Sequence, residues 1–266
     1  MIRVNHTFAI CAYKESPFLT QCIDSLKAQT LKSEIICATS TPNVYIEEIC
    51  EQYNIPLFVN PVRGGIGADW NFAYSNSSAD YVTLVHQDDV YGSDYLHETL
   101  KRLEASRKPL IASTDYYEIR NGEDIMTNYL LKCKRLLVLP WRIKIFRYSK
   151  FVSRRIFMFG NPICCPSVTY AKKNLPSTPF NTDLRTNCDW LAWLDIRELN
   201  GEFLYIPKIL MGHRIHEESE TSNTISDNTR NAEDLMLLKK VSPDFLANFI
   251  HKYYSKAIKS NSYEEG

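Results

Sequence analysis

Two adjacent carboxylates, Asp88 and Asp89, are the most informative residues in this chain of 266 amino acids. They directly follow an apolar run from Tyr81 to Val85 that has the composition of a buried strand. Carboxylate oxygens are the ligands that Mg²⁺ and Mn²⁺ prefer, and such sites keep positions open for phosphate oxygens. The alternative is a solvated turn in which one Asp caps the next helix. The pair therefore predicts either a divalent cation site or a plain turn.

Two later groups also carry side chains that could take part in catalysis. Asp189 stands at the predicted start of a helix, where the helix dipole stabilises its ionised form. His213 and His216 lie in the segment His213–Thr221, which we predict to be irregular and which offers a metal ligand and several hydroxyls. A simple helix-terminal charge and plain polar loop residues are the alternative interpretations.

Strands that alternate with helices position these groups. The first predicted helix begins at the pair Ser16-Pro17, and its apolar residues recur at helical spacing. Such alternation indicates βαβ units, a mostly parallel sheet with helices on both faces, and ligand binding at the carboxyl ends of the strands. Strands are predicted at Thr7–Cys11, Glu34–Ala38, Leu57–Val59, Tyr81–Val85 and Leu110–Tyr117, and the helices between and after them at about 43–53, 68–76 and 93–105.

Composition and motif searches exclude several classes of protein. Lys plus Arg equals Asp plus Glu at 31 each, so no global charge attracts nucleic acid or membranes. Neither GxGxxG nor GxxxxGK[ST] occurs, which excludes dinucleotide-binding dehydrogenases and P-loop enzymes. The 8 cysteines include no CxxC pair and mostly lie in apolar runs. We therefore expect buried reduced thiols and a cytoplasmic protein.

One segment departs from this balance. Residues 125–160 contain nine Lys or Arg and no Asp or Glu, together with several aromatic residues. Basic and aromatic residues together suit an anionic membrane surface, so the 132–155 segment predicts peripheral contact with the inner face of a membrane. The alternative is a helical insert that covers the acceptor and has a solvated face. Nucleic-acid binding is disfavoured because no reading motif is present and the rest of the chain is acidic.

The order of these groups resembles the family 2 glycosyltransferases of bacterial type, which have the GT-A fold. The resemblance covers about residues 6–225 and rests on order and spacing. Its elements are Ala12-Tyr13-Lys14-Glu15, the loop Arg63-Gly64-Gly65-Ile66-Gly67 with Asn71 after it, the acidic pair, Asp189-Trp190 and His213-Arg214-Ile215-His216.

The resemblance implies an α/β nucleotide-diphospho-sugar transferase fold, Rossmann-like, and an inverting transfer of a sugar from a nucleotide sugar. It implies that Asp189 is the general base and that Asp88, Asp89 and His216 hold Mn²⁺ or Mg²⁺ on the donor diphosphate. The acceptor is expected to be a glycan, a lipid-linked sugar or a glycoprotein. The residues implied to bind the nucleotide sugar are Ala12, Tyr13, Glu15, Thr39, Arg63, Gly65, Asn71, His86, Gln87, Asp88 and Trp190.

Two departures from the family pattern keep an alternative open. His86 stands where the family's acidic motif begins with Asp, and Ala38-Thr39-Ser40 replaces the Asp pair that reads the base. A UDP-sugar is thus a family-level expectation. A noncatalytic nucleotide-sugar or glycan-binding module with a degenerate site is the alternative function.

The predicted organisation has two parts. Residues 1–225 form the GT-A domain with a basic helical insert at about 125–158, and residues 226–266 form a C-terminal helical extension. Phe245, Phe249 and Tyr253 give this extension an apolar face that either packs on the parent domain or forms a homodimer.

Overall fold

The computed structural model describes residues 4–216 and 229–259. Its strands are β1 (His6–Ala12), β2 (Glu34–Thr39), β3 (Leu57–Val59), β4 (Tyr81–His86), β5 (Val90–Tyr91), β6 (Pro109–Arg120), β7 (Glu123–Ile125), β8 (Val168–Ala171) and β9 (Glu202–Ile215). The helices are α1 (Leu19–Lys27), α2 (Val44–Tyr53), α3 (Ile66–Asn76), α4 (Tyr95–Glu104), α5 (Tyr129–Val138), α6 (Lys144–Arg147), α7 (Lys150–Phe157), α8 (Cys188–Ile196), α9 (Thr229–Val241) and α10 (Asp244–Lys259).

The strands form one mostly parallel sheet in the order β3-β2-β1-β4-β8-β6-β9-β5, with β7 paired to β6. Strands β1 to β4 pair with one another in parallel, and β6 is parallel to β9 over most of its length. Strand β8 joins these two parts by antiparallel pairing on both sides. The carboxyl ends of β1, β2 and β4 therefore lie along one edge, as the alternation of strands and helices predicts.

Two apolar clusters cover the two faces of the sheet. Along β1, Phe8 and Ile10 belong to one cluster and Ala9 to the other, because successive side chains of a strand point to opposite faces. Helices α1, α2 and α4 cover the first face, and α3 and α8 cover the second. This arrangement confirms the predicted α/β class with helices on both faces.

A side-chain cap and a turn explain where α2 and α1 begin. The side chain of Asn43 accepts a hydrogen bond from the Ile46 amide and caps α2 at the predicted position. The four predicted apolar positions of α1 are all buried, which confirms its orientation on the sheet. The helix itself begins at Leu19, two residues after Pro17 rather than at it, because residues 17 and 18 form a turn.

The prediction of an irregular segment from His213 to Thr221 is wrong for its first three residues, and residues 217–221 lie outside the described part of the chain. His213 to Ile215 form the end of β9, where the strand pairs in parallel with the end of β6. The prediction was wrong because the pairing partner lies about ninety residues earlier in the chain, beyond the reach of any local pattern.

The C-terminal helices pack on the core. Leu237, Leu238 and Val241 of α9 and Ala247 of α10 are buried in the same cluster as α8. The predicted boundary near residue 225 lies outside the described residues. Phe245, Phe249 and Tyr253 remain 58–76% exposed, so a homodimer through this face stays a prediction.

Candidate functional site

A cleft of about 1120 Å³ opens at the carboxyl ends of β1, β2 and β4. That volume is at the upper end of ordinary ligand sites, so the cleft has room for a nucleotide sugar and part of a second substrate. It is lined by most of the sequence-predicted residues, namely Ala12, Tyr13, Glu15, Arg63, Gly65, His86, Gln87, Asp88, Asp189 and His216.

The Gln87 side chain fixes the loop after β1. Its amide nitrogen donates to the Tyr13 carbonyl at 2.7 Å, and its carbonyl oxygen accepts from the Tyr13 amide at 3.0 Å. Lys14 adopts a left-handed conformation with φ of 54°, and its amide donates to Thr41 Oγ1. Gln87 thus holds the first wall of the cleft in place by bonding to its backbone.

Asp88 lies beside a histidine and an arginine from the end of β9. His216 Nε2 donates to Asp88 Oδ2 at 2.9 Å. Arg214 Nε donates to the Asp88 carbonyl, and its guanidinium lies 4.1 Å from the centre of the Phe18 ring. Burial opposes the charge of Asp88, but the His216 hydrogen bond and the neighbouring imidazoles outweigh it and lower the pKa of this carboxyl. Asp88 therefore stays ionised.

Asp89 is fully buried beneath the cleft. Its Oδ1 accepts from the Arg214 amide at 2.9 Å and from His213 Nδ1 at 3.1 Å. Burial lowers the pKa of His213, but the Asp89 carboxylate outweighs it, so the net shift is upward. Among the described residues, Asp89 Oδ2 has no hydrogen-bond partner. Asp89 thus ties β9 to the acidic strand end through Oδ1, while its Oδ2 makes no hydrogen bond in the described residues and lies 3.9 Å from His86 Nδ1.

These residues fit a divalent cation. One ligand atom each from His86, Asp88 and Asp89 lies within 4.8 Å of the others. His86 Nε2, like Asp89 Oδ2, is buried without a hydrogen-bond partner in the described part of the chain. Its ring stacks on Trp70 with centroids 5.3 Å apart. A nitrogen and two carboxylates form a donor set suited to Mn²⁺ or Mg²⁺. The sequence-predicted ligand His216 contacts Asp88 instead of belonging to this cluster.

Asp189 lines the same cleft from the first turn of α8. Its Oδ2 accepts from Asn161 Nδ2 at 2.8 Å, and its Oδ1 accepts from the Trp190 amide at 2.7 Å. Burial raises the pKa of the Asp189 carboxyl, although Arg230 and these hydrogen bonds oppose the shift. A carboxylate that is held at both oxygens and has a raised pKa is suited to accept a proton.

A second carboxylate from α9 fixes the chain that leads to Asp189. Glu233 accepts hydrogen bonds from the amides of Arg185, Thr186 and Asn187 at 2.7–3.0 Å, and from Thr186 Oγ1 at 2.8 Å. The Asn187 side chain donates to Asp234 of the same helix. Helix α9 therefore determines where α8 begins.

Three predicted binding residues do not line the cleft. Thr39 is buried, and its hydroxyl accepts from the Thr41 amide. The Asn71 side chain donates to the carbonyl of Phe180 and accepts from its amide, so it anchors that loop. The Trp190 indole is fully buried against Tyr254, because this side chain points from the first turn of α8 into the core while the neighbouring Asp189 faces the cleft. The expected sugar or acceptor contact of Trp190 does not occur in this arrangement.

Other cleft residues gave little signal in the sequence. Asp69 lines the cleft and accepts from Ser40 Oγ at 2.8 Å and from Asn60 Nδ2 at 2.9 Å. Its place in the first turn after the glycine-rich loop is a signal that could have identified it. Arg230 and Tyr254 reach the cleft from the C-terminal helices, and no local pattern marks them.

Comparisons with known proteins identify the family of this chain. The model of the family described as "Glycosyl transferase family 2" matches residues 7–171. The glycosyltransferase GlyA of Streptococcus pneumoniae is 28% identical over 130 residues, which are 47% of this chain and 18% of that protein. An uncharacterized glycosyltransferase of Rickettsia prowazekii is 24% identical over 272 residues, or 96% of this chain and 80% of the relative.

Solved structures share the fold. The mannosyltransferase PcManGT from Pyrobaculum calidifontis, in complex with GDP-Man and Mn²⁺, has a TM-score of 0.66 at 13% identity, with 97% of this chain and 73% of that one covered. S. aureus TarS in complex with UDP-GlcNAc has a TM-score of 0.60 at 15% identity and the same coverage. At these identities the likeness concerns the fold, which is that of GT-A glycosyltransferases.

Proposed function

Because the chain belongs to glycosyl transferase family 2, we propose that it transfers a sugar from a UDP-sugar to a hydroxyl of a glycan, a lipid-linked sugar or a glycoprotein, with inversion at the anomeric carbon. One observation carries the proposal. The ionised Asp88 and the proton-accepting Asp189 line a single cleft at the carboxyl edge of the sheet. The assembly of both carboxylates with His216 disfavours a degenerate binding module.

Asp189 is the proposed general base. Its two oxygens are oriented by Asn161 and the Trp190 amide, and each keeps a lone pair for the acceptor hydroxyl. The raised pKa makes the carboxylate a stronger base than an exposed Asp. The hydroxyl oxygen forms the new bond to the anomeric carbon, its proton passes to Asp189, and the bond to the diphosphate oxygen breaks. Attack opposite to the leaving group inverts the configuration.

The opposite end of the cleft binds the diphosphate. A divalent cation, Mn²⁺ or Mg²⁺, held by His86, Asp88 and Asp89, would neutralise the negative charge that the leaving diphosphate gains. His216 holds the Asp88 carboxylate at one oxygen. Arg214 holds the Asp88 backbone, and its terminal nitrogen donates to Gln21 at 2.7 Å. Protein bonds thus orient Asp88 before any substrate binds.

Asp69 supports a uracil base. Strand β2 lacks the acidic pair that the family uses, but Asp69 lies beside Ser40 at the carboxyl end of that strand. A carboxylate oxygen can accept the hydrogen bond that the ring N–H of uracil donates. Asp69 of α3 therefore supplies the carboxylate that β2 lacks.

One further part of the proposal concerns location. All eight cysteines are free thiols and six of them are buried, which supports a reducing, cytoplasmic compartment. In the parts of the chain that the structure describes, no helix has both the length and the apolar character needed to cross a bilayer.

A thermal-shift panel tests the proposal. UDP-, GDP-, dTDP- and CMP-sugars are added with and without Mn²⁺ to the wild type, Asp88→Ala, Asp69→Asn and the exposed-site control Asp124→Ala. We expect a metal-dependent rise in melting temperature with UDP-sugars alone, lost in Asp88→Ala and reduced in Asp69→Asn. A rise in melting temperature with another class of nucleotide sugar would refute the assignment of uracil. No rise with any donor would refute nucleotide-sugar binding.

A further inference from the structure

The segment from residue 142 to residue 146 forms an exposed tip with alternating basic and apolar side chains, Arg142, Ile143, Lys144, Ile145 and Phe146. We call it the basic tip. Ile143 is 54% exposed and Ile145 is 73% exposed. Large aliphatic side chains on a surface are ordinary when they are single, but adjacent ones indicate a contact site.

Internal bonds hold the basic tip in its exposed position. Trp141, directly before it, is fully buried, and its indole donates to Ser153 Oγ at 3.2 Å. Arg147, directly after it, donates to the carbonyls of Trp141 and Arg142 at 2.9 and 2.8 Å, and pairs with Glu202. Because both ends are anchored, the two isoleucines cannot turn into the core.

A second exposed row lies on α7 and on the turn that follows it. Phe151, Arg155 and Phe159 follow one another at intervals of four residues, and the Arg155 guanidinium lies 5.0 Å from the centre of the Phe151 ring. The two Phe side chains are 66% and 54% exposed. We call these three residues the α7 row. It repeats the composition of the basic tip, in which cations alternate with apolar groups.

The charge of the region favours an anionic partner. No acidic residue occurs between residues 125 and 160, although the whole chain has a net charge of zero. Three acidic side chains from outside the region pair with its cations, Asp115 with Arg135, Glu202 with Arg147 and Glu198 with Lys150. Arg142 and Lys144 therefore keep their charge for an external partner.

We propose that the basic tip and the α7 row dock on an anionic lipid surface. Cations beside aliphatic and aromatic groups match the boundary between lipid headgroups and acyl chains, where both kinds of side chain are stabilised. A nucleic acid would bind the cations but would leave Ile143 and Ile145 in water. The proposal goes beyond sugar transfer and holds whether or not the assignment of the donor is correct.

The position of α5 relates the proposed docking surface to the cleft. Leu130 and Lys134 of α5 line the cleft, and the helix continues for about one more turn toward the basic tip. A membrane on the tip would therefore lie at the end of the element that forms one wall of the cleft. An acceptor carried by a lipid would enter the cleft from that side.

Vesicle sedimentation tests the proposal. The full chain is mixed with sucrose-loaded vesicles of phosphatidylcholine alone or of phosphatidylcholine with phosphatidylglycerol. The variants are Arg142→Glu with Lys144→Glu, Ile143→Ser with Ile145→Ser, and the control Lys27→Glu with Lys32→Glu, which reverses two charges on and after α1. Arg147 is left unchanged because its bonds are internal. Thermal melts show that each variant is folded.

We expect binding to the anionic vesicles only. Since each cation near such a surface contributes about 1 kcal/mol, the double Glu variant should bind at least about thirtyfold more weakly. The double Ser variant should also bind more weakly, and the control should match the wild type. Equal sedimentation with neutral vesicles, or an unchanged double Glu variant, would overturn the proposal. So would binding to DNA without binding to vesicles, or a tip-dependent dimer in light scattering.

Discussion

Replacing Glu233 by Ala tests whether α9 positions α8 and with it Asp189, the proposed general base. Glu233 accepts four hydrogen bonds from residues 185–187, the segment directly before α8. Hydrogen bonds to a charged acceptor contribute about 1.5–3 kcal/mol each. Residue 185 is exposed and its amide can bond to water, but the amide of Asn187 is part of a buried residue and would lose its partner. We therefore expect a net loss of about 3 kcal/mol in the free energy of unfolding.

For a domain of this size, 1 kcal/mol corresponds to about 2–4 °C in melting temperature. Glu233→Ala should thus melt about 6–12 °C below the wild type. Glu233→Gln should lose about 1 kcal/mol, because its single carbonyl oxygen can replace the oxygen that accepts three of the four bonds. The exposed Glu48→Ala on α2 is the control and should stay within about 0.5 kcal/mol of the wild type.

The assay has two readouts, melting by differential scanning fluorimetry and sugar transfer at a temperature well below every melt. If Glu233 positions Asp189, the Ala variant loses turnover while still folded, and the Gln variant recovers most of it. An Ala variant that melts like the Glu48→Ala control would refute the stability argument. An Ala variant that is destabilised but fully active would show that Asp189 is positioned without Glu233.

Two further predictions concern the fold. Gly160→Ala should destabilise the protein by about 3 kcal/mol more than Gly122→Ala in urea unfolding. Both glycines have positive φ, but only a methyl group at Gly160 would overlap the Tyr254 ring. Equal losses of stability in the two variants would show that the Tyr254 ring moves aside. Burial lowers the pKa of His6 from 6.5 to about 3, so its contribution to stability is complete above pH 6.5 and is lost as the pH falls toward 3. From pH 6.5 to 5 the wild type should therefore lose about 2 kcal/mol that His6→Gln does not lose, and identical pH profiles would contradict the buried, neutral His6.

The sequence predicted most of the sheet because its local patterns agree with the fold. The apolar face of α1, the Asn43 cap and the acidic end of β4 are local features, and all three occur in the structure. Strands β5, β7, β8 and β9 were not predicted. The whole of β9 was missed because its pairing with β6 is not local, and a parallel neighbour leaves no mark in the sequence of the strand itself.

The sequence predicted which residues form the candidate site better than it predicted what each of them does there. Asp88 and Asp189 meet in one cleft, as the order of motifs predicts. The sequence did not indicate that Asp89 would be buried beneath the cleft. It also did not indicate that the Asn71 side chain would form hydrogen bonds with both the carbonyl and the amide of Phe180. The sequence also gave no sign of the role of Glu233. A Glu that accepts hydrogen bonds from the backbone amides of another element looks, in the sequence, like any surface Glu of a helix. Such roles depend on tertiary contacts, which residue type and spacing do not encode.

The most direct test of the central claim is the turnover of Asp189→Asn at unchanged donor affinity. Asn keeps the shape of Asp and an oxygen for the Trp190 amide, but it cannot take the proton of the acceptor hydroxyl. Donor affinity is measured by calorimetry and transfer by product formation. We predict an unchanged Kd for the donor and a fall in kcat of about 10²–10⁴. A folded Asp189→Asn variant with the kcat of the wild type would contradict the assignment of Asp189 as the base.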